Sequence, residues 1–273
     1  MTHLRSAATY CKRAALFVLL MTNLGAAGTS PAPPEAQKLN DLLGRTAAQT
    51  SVFLDQFSEV KCIEQVRQEK LGKDDKVQIK EDSTYDYLVM LTNTGGELSL
   101  TESRIPMHEA KRARKNTSML LSNGFATLFL LFHPSYAEGF KFDLAGEEMV
   151  AGRLLERINF RHIRGMKSPA ALALRGREYP LELTGTAWID AETGSIVKID
   201  AGIADTLLDV GLKTLDSEVD FAPLKFPDSK QEFWFPTQAR VEVETPRQHW
   251  RNLHQFTAYK KFSVTTEEQD IKK

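Results

Sequence analysis

The chain has 273 residues, 42% of them hydrophobic and 26% charged, with a formal net charge of −1 and two cysteines. That length suits one large globular domain or two small ones. The charge balance speaks against a polyanionic partner such as nucleic acid, and two cysteines leave little room for a disulfide framework.

Arg5, Lys12 and Arg13 precede an apolar run from Ala14 to Met21, with Leu24 close behind and the small residues Gly25, Ala26 and Ala27 after it. This is the layout of a secretory signal peptide over residues 1–27, and its apolar core is too short to span a ~30 Å bilayer as an anchor. No cysteine follows the small residues, so lipid attachment there is not expected. Removing the segment takes away three positive charges and moves the net charge from −1 to −4. Cys11 leaves with it, so Cys62 remains as a single thiol without an internal disulfide partner. It shares the parity of Val60 and Val66 along a strand, which favours a buried inert thiol over a nucleophile.

Residues 28–34 form a proline-rich leader. From Glu35, the spacing of Leu39, Leu42, Leu43, Ala47, Val52, Phe53 and Phe57 predicts an amphipathic helix ending near Ser58. Strands follow around Val60–Val66, Lys76–Lys80 and Tyr85–Leu91, and Asn93-Thr-Gly-Gly96 turns the chain into Glu97–Ser103. A basic run, with Lys111, Arg112, Arg114 and Lys115, then precedes the apolar stretch 119–132, which predicts a buried helix or plug ended by Pro134. The second half alternates with period two. Strands are predicted through Phe140–Leu144, Val150–Phe160, the hairpin within Glu178–Gly202, Ser217–Ala222, Phe233–Thr245 and Gln255–Val264. Residues 164–178 read as a loop, and a short helix is expected near Ala204–Val210. Residues 265–273 are a polar tail.

About eleven strands joined by short connections predict an α+β, mostly β fold. Its curved antiparallel sheet forms an incomplete barrel with helices covering the open face, in a single domain over 35–264.

The helix before the first strand, the plug at mid-chain and the hairpin Gly185-Thr-Ala-Trp-Ile-Asp-Ala-Glu-Thr-Gly-Ser-Ile-Val-Lys give the chain a resemblance to the outer-membrane lipoprotein carrier (LolA/LolB/RseB-like) superfamily. Phe233-Trp-Phe-Pro-Thr237, entering a later strand, adds to it. The resemblance implies a cavity that shields acyl chains from water, in a protein of the periplasm of a Gram-negative-type bacterium. No arginine of this chain maps onto the lid-tethering arginine of the carriers.

On that basis Phe125, Leu128, Phe129, Phe132, Leu154, Ile158, Phe160, Leu183, Ile189, Phe235, Val241 and Phe256 are candidates to line the cavity; for each, plain core packing is the competing reading. Trp188 and Trp234 fall on the polar side of their strands, as packed surface aromatics or as partner contacts. Lys111 and Arg112 could meet anionic headgroups at a membrane face or belong to a solvated connection. Arg153, Arg157 and Arg161 share one strand face, with Glu156 and Glu182 as expected cross-strand partners. The sequence carries no HExxH, CxxC or GxSxG pattern, and His249 and His254 lie five apart, poorly placed for one metal. The expected function is non-catalytic binding of a lipid or acylated partner, with peripheral membrane contact, no cofactor and no metal. The alternatives are an interaction or envelope-sensing module with a filled core and, more distantly, a hydrolase.

Overall fold

A computed structural model describes residues 33–94, 97–107, 125–174, 177–227 and 232–261. Helix α1 spans Pro34–Phe57 and buries Leu42, Thr46, Thr50, Leu54 and Phe57, a single stripe at spacings of three and four. Glu35 in its first turn suits the positive end of the helix dipole.

The strands are β1 (Val60–Leu71), β2 (Val77–Thr94), β3 (Glu97–Pro106), β4 (Phe140–Val150), β5 (Arg153–His162), β6 (Ala171–Leu174), β7 (Arg177–Pro180), β8 (Leu183–Asp190), β9 (Ile196–Ile203), β10 (Thr214–Lys225), β11 (Glu232–Glu244) and β12 (His249–Lys261). Ten of them form one antiparallel sheet in the order β3-β2-β1-β12-β11-β10-β9-β8-β5-β4, while β6 and β7 pair separately. The crossover is the pairing of β1 with β12, which runs from Val60↔Lys261 to Leu71↔His249 and brings the last strand back beside the first. β3 and β4 stand at the two ends of the order, so the sheet is an open, incomplete barrel. A 3-10 segment, Phe125–Phe132, and the short helix α2, Pro134–Ala137, lead into β4.

Both covers pack on the inner face of the sheet. Phe53 of α1 meets Phe129 edge-on at 4.5 Å between ring centroids, and Phe132 stacks on Phe142 of β4 at 5.3 Å. Close backbone approach is built in at Gly185, where a Cβ would overlap the Asp200 carbonyl and the Phe160 ring.

Several sequence expectations are corrected. The two strands expected at 76–80 and 85–91 are one long strand, β2, because Glu81–Thr84 pair with β1 and leave no turn. The loop expected at 164–178 contains the β6–β7 ribbon, in register from Ala171↔Pro180 to Leu174↔Arg177. No helix forms at 204–210; a single bridge, Leu207↔Leu212, holds a turn there. β12 starts at His249, ahead of the expected Gln255. Its alternation breaks at Ala258, which has φ 52° and is exposed. The extra residue of this bulge shifts the register against Lys61 and Ile63, so Tyr259 rather than Ala258 faces inward and stacks on Phe235 at 4.9 Å.

Candidate functional site

The inner face gathers most of the residues singled out as cavity-lining. Leu128, Phe129 and Phe132 from the 3-10 segment, Ile158 and Phe160 from β5, Leu183 and Ile189 from β8, Phe235 from β11 and Phe256 from β12 belong to one buried cluster. Val241 is buried outside that contiguous cluster. Phe125 opens the 3-10 segment, but its side chain lies outside what is described. Leu154 is corrected. It is 40% exposed: its partner across the hairpin is the exposed Met149, and on its other side β8 has ended at the Leu155↔Asp190 pair, with the backbone N–H of Ala191 donating to its carbonyl at 2.9 Å.

The interior is fuller than a partly plugged trough. Leu128–Phe132 are five consecutive side chains at 0–4% exposure, so the segment is buried on every side and fills the space between sheet and α1. Among the described residues, a crevice stays open between α1 and the starts of β9 and β11. Phe53, Phe129, Phe221, Phe233 and Trp234 form its apolar walls, and its volume is about 40 Å³. That is room for a few waters, and far below the roughly 300 Å³ at the small end of ligand pockets.

Five polar residues among those described line the crevice: Gln49, Thr50, Gln56, Ser195 and Glu232. The Ser195 hydroxyl accepts from Thr193 Oγ1 at 3.0 Å. The hydroxyls of Thr46 and Ser51 on the same helix donate back to the carbonyls of Leu42 and Ala47 at 3.0 and 3.1 Å. Thr50 Oγ1 has no hydrogen-bond partner among the described residues, although Thr50 is only 2% exposed.

Elsewhere on the inner face lies an ionic network that the sequence reading missed. Arg104 Nε and Nη2 donate to Glu64 at 2.5 and 2.9 Å, Arg104 Nη1 pairs with Glu102 at 2.9 Å, and His254 Nδ1 lies 2.8 Å from Glu64 Oε1. The Arg104 guanidinium sits 5.0 Å from the Tyr87 ring centroid. Burial alone would raise the Glu64 carboxyl, but hydrogen bonds from His254 and Arg104 outweigh it and hold the group below its ordinary value of 4.5. The available signal was parity: Glu64 and Gln68 share the phase of Val60, Cys62 and Val66, and His254 shares that of Phe256. Arg104 lies just past the expected end of its strand. Cys62 is buried, and desolvation pushes its thiol up to about 12, so it stays protonated.

Trp188 is half-buried, donating from Nε1 to Glu148 at 3.1 Å beneath the Lys198 ammonium. Trp234 is half-buried too, packed on the core with Arg153 over its ring at 5.3 Å. Lys111 and Arg112 lie outside the described residues. The acidic partners expected for the arginines are also corrected. Glu156 pairs with Lys38 of α1 and Glu182 with Arg164, whereas Arg153 pairs with Asp190 and Arg157 donates to the Ala145 carbonyl. Among the described residues no group of three or more His, Cys, Asp or Glu side chains is placed to hold a metal ion. None of the described helices is long and apolar enough to cross a membrane.

No family model matches the chain, and no curated protein matches it. Among solved structures, it is similar to a DUF1329 family protein from Desulfovibrio piger, with 12% identity over 84% of this chain and 95% of that one and a TM-score of 0.44. A LolA superfamily protein from Nitrosomonas europaea is similar at 10% identity, over 83% and 94% of the two chains, with a TM-score of 0.37. A domain named for outer-membrane lipoprotein sorting, from Vibrio parahaemolyticus, is similar at 9% identity, over 82% and 94%, with a TM-score of 0.40. The superfamily that the sequence resembles is thus among these neighbours.

Proposed function

We propose that the protein is exported to the bacterial envelope and there binds a lipid or an acylated partner in its trough, admitting the acyl chain through the crevice beside α1 as the 3-10 segment yields. The observation that carries this reading is the segment itself. Leu128–Phe132 lie fully apolar and fully buried on the inner face, where a guest's methylenes would lie. Its 3-10 hydrogen bonds are poorer than those of the strands around it, which makes it the cheaper element to move. The magnitudes are matched. Exposing five such side chains costs about 10 kcal/mol, and burying a dozen methylenes at about 0.8 kcal/mol each returns a similar amount. Exchange of one for the other is near balance, as reversible carriage needs. Export is supported by the leader-like residues 1–27.

Uptake of a dansyl-labelled fatty amide tests the reading. Val52 lines the crevice at 40% exposure, so Val52→Trp fills the mouth without touching the core. This variant is expected to bind the probe at least tenfold more weakly, while Leu154→Asp, outside the trough, binds as wild type. Folded Val52→Trp and Phe129→Asp proteins that both take up the probe normally would refute the site.

The second reading, an interaction module with a filled core, is favoured by the small crevice and by one exposed apolar tip. Met149 and Leu154 flank the Ala151–Gly152 turn at 64% and 40% exposure. Native mass spectrometry separates the two readings: co-purifying lipid supports the first, a bare chain mass the second.

A further inference from the structure

The Thr50 hydroxyl gives the crevice a chemical preference, an inference that rests on the acyl-binding reading. A threonine in a helix ordinarily satisfies its hydroxyl on the carbonyl four residues back, as Thr46 does on Leu42. Thr50 does not, and it is held at 2% exposure in a crevice whose other walls are mostly apolar, with five aromatic rings among them. A buried hydroxyl without a partner is unfavourable unless something that enters the site supplies one.

We infer that the crevice takes acyl chains joined through a neutral ester or amide, whose carbonyl accepts a hydrogen bond from Thr50, and discriminates against the free fatty-acid anion. The charge of the lining decides between the two. Gln49 and Gln56 are neutral, Glu232 is acidic, and among the described residues no Lys, Arg or His lines the crevice. The Arg153 guanidinium lies over the outer Trp234 ring but is engaged by Asp190 at 3.0 Å. A carboxylate drawn in to Thr50 would lose water and gain no cation from the described lining, with Glu232 near its path. An ester or amide carbonyl meets the same hydroxyl without that penalty.

The test is competition against the dansyl-labelled fatty amide by monolauroylglycerol, dodecanamide and dodecanoate at pH 8, each below its aggregation threshold. The ester and the amide are expected to displace the probe at about tenfold lower concentration than dodecanoate. Thr50→Val, which keeps the shape and removes the hydroxyl, should weaken ester and amide about fivefold and leave dodecanoate unchanged; Thr50→Ser should restore both. Dodecanoate competing as well as the ester, or Thr50→Val competing as wild type, overturns the preference and leaves acyl binding standing. A wild-type protein that binds no probe removes the acyl reading and this inference with it.

Discussion

Glu64 has a fully buried side chain and remains a carboxylate because His254 meets it from the adjacent strand β12 and Arg104 reaches it from β3, across β2. Removing one member of such a cluster leaves the others buried without compensation, so Glu64→Gln is expected to cost about 3 kcal/mol, read as a lower urea midpoint at pH 7. The pH dependence has a definite sign. Glu64 and Asp190 are both held below their ordinary values of 4.5 and 3.8. Burial pushes each upward, but His254 and Arg104 prevail at Glu64, and at Asp190 the hydrogen bonds from Thr193, Arg153 and Glu192 prevail. A depressed folded-state value stabilises the protein above the unfolded value and is lost as pH falls through the folded one. Urea midpoints should therefore hold steady from pH 7 to pH 5 and fall below about 4.5, with a shallower fall in Glu64→Gln. A midpoint that rises on acidification contradicts the assignment. At this scale alternation exposed the apolar inner face well, but Glu64 was not singled out, although its phase with Val60, Cys62 and Val66 places it inside.

At the scale of elements, α1 is seated by the β8–β9 turn as much as by its own apolar stripe. Asp190 Oδ1 accepts from the backbone of Glu192 and Thr193, and Gly194, at φ 77°, brings the turn against the backbone of Arg45 and Thr46. A Cβ at Gly194 would come within 2.8 Å of the Arg45 carbonyl carbon. Gly194→Ala should therefore cost about 2 kcal/mol through left-handed strain and displacement of the helix. Hydrogen exchange should quicken across 34–57 and remain slow in β10 and β11; unchanged protection of α1 would show that the turn does not seat it. This hairpin was legible because Asp-Ala-Glu-Thr-Gly is turn chemistry between two alternating runs. The β6–β7 ribbon was not, since its strands Ala171–Leu174 and Arg177–Pro180 are only four residues each and the first has no polar–apolar alternation. The Ala258 bulge was hidden because a phase slip of one residue depends on the partner strand, Lys61–Ile63, which lies far away in the chain.

For the whole molecule, antiparallel order and an incomplete barrel followed from many short alternating runs with local connections, whereas the pairing of β1 with β12 is non-local and had no sequence signal. The outer face shows the same register logic. Thr84, Gln65, Gln255, Gln238 and Asp220 stand directly opposite one another across five strands, a polar row that keeps this side wet. If the 3-10 segment makes way for a guest, loading with the fatty amide should accelerate amide exchange across 125–132 and leave β8–β11 unchanged. Uniform slowing everywhere would instead indicate surface adsorption. β3 and β4 end the strand order without pairing to each other. A closed barrel has a girth fixed by its ladders, but this sheet is a sleeve with an unstitched seam. Its end strands can part or approach while each rung between neighbours stays intact, so the curvature of the sheet around its apolar filling can change by flexure alone.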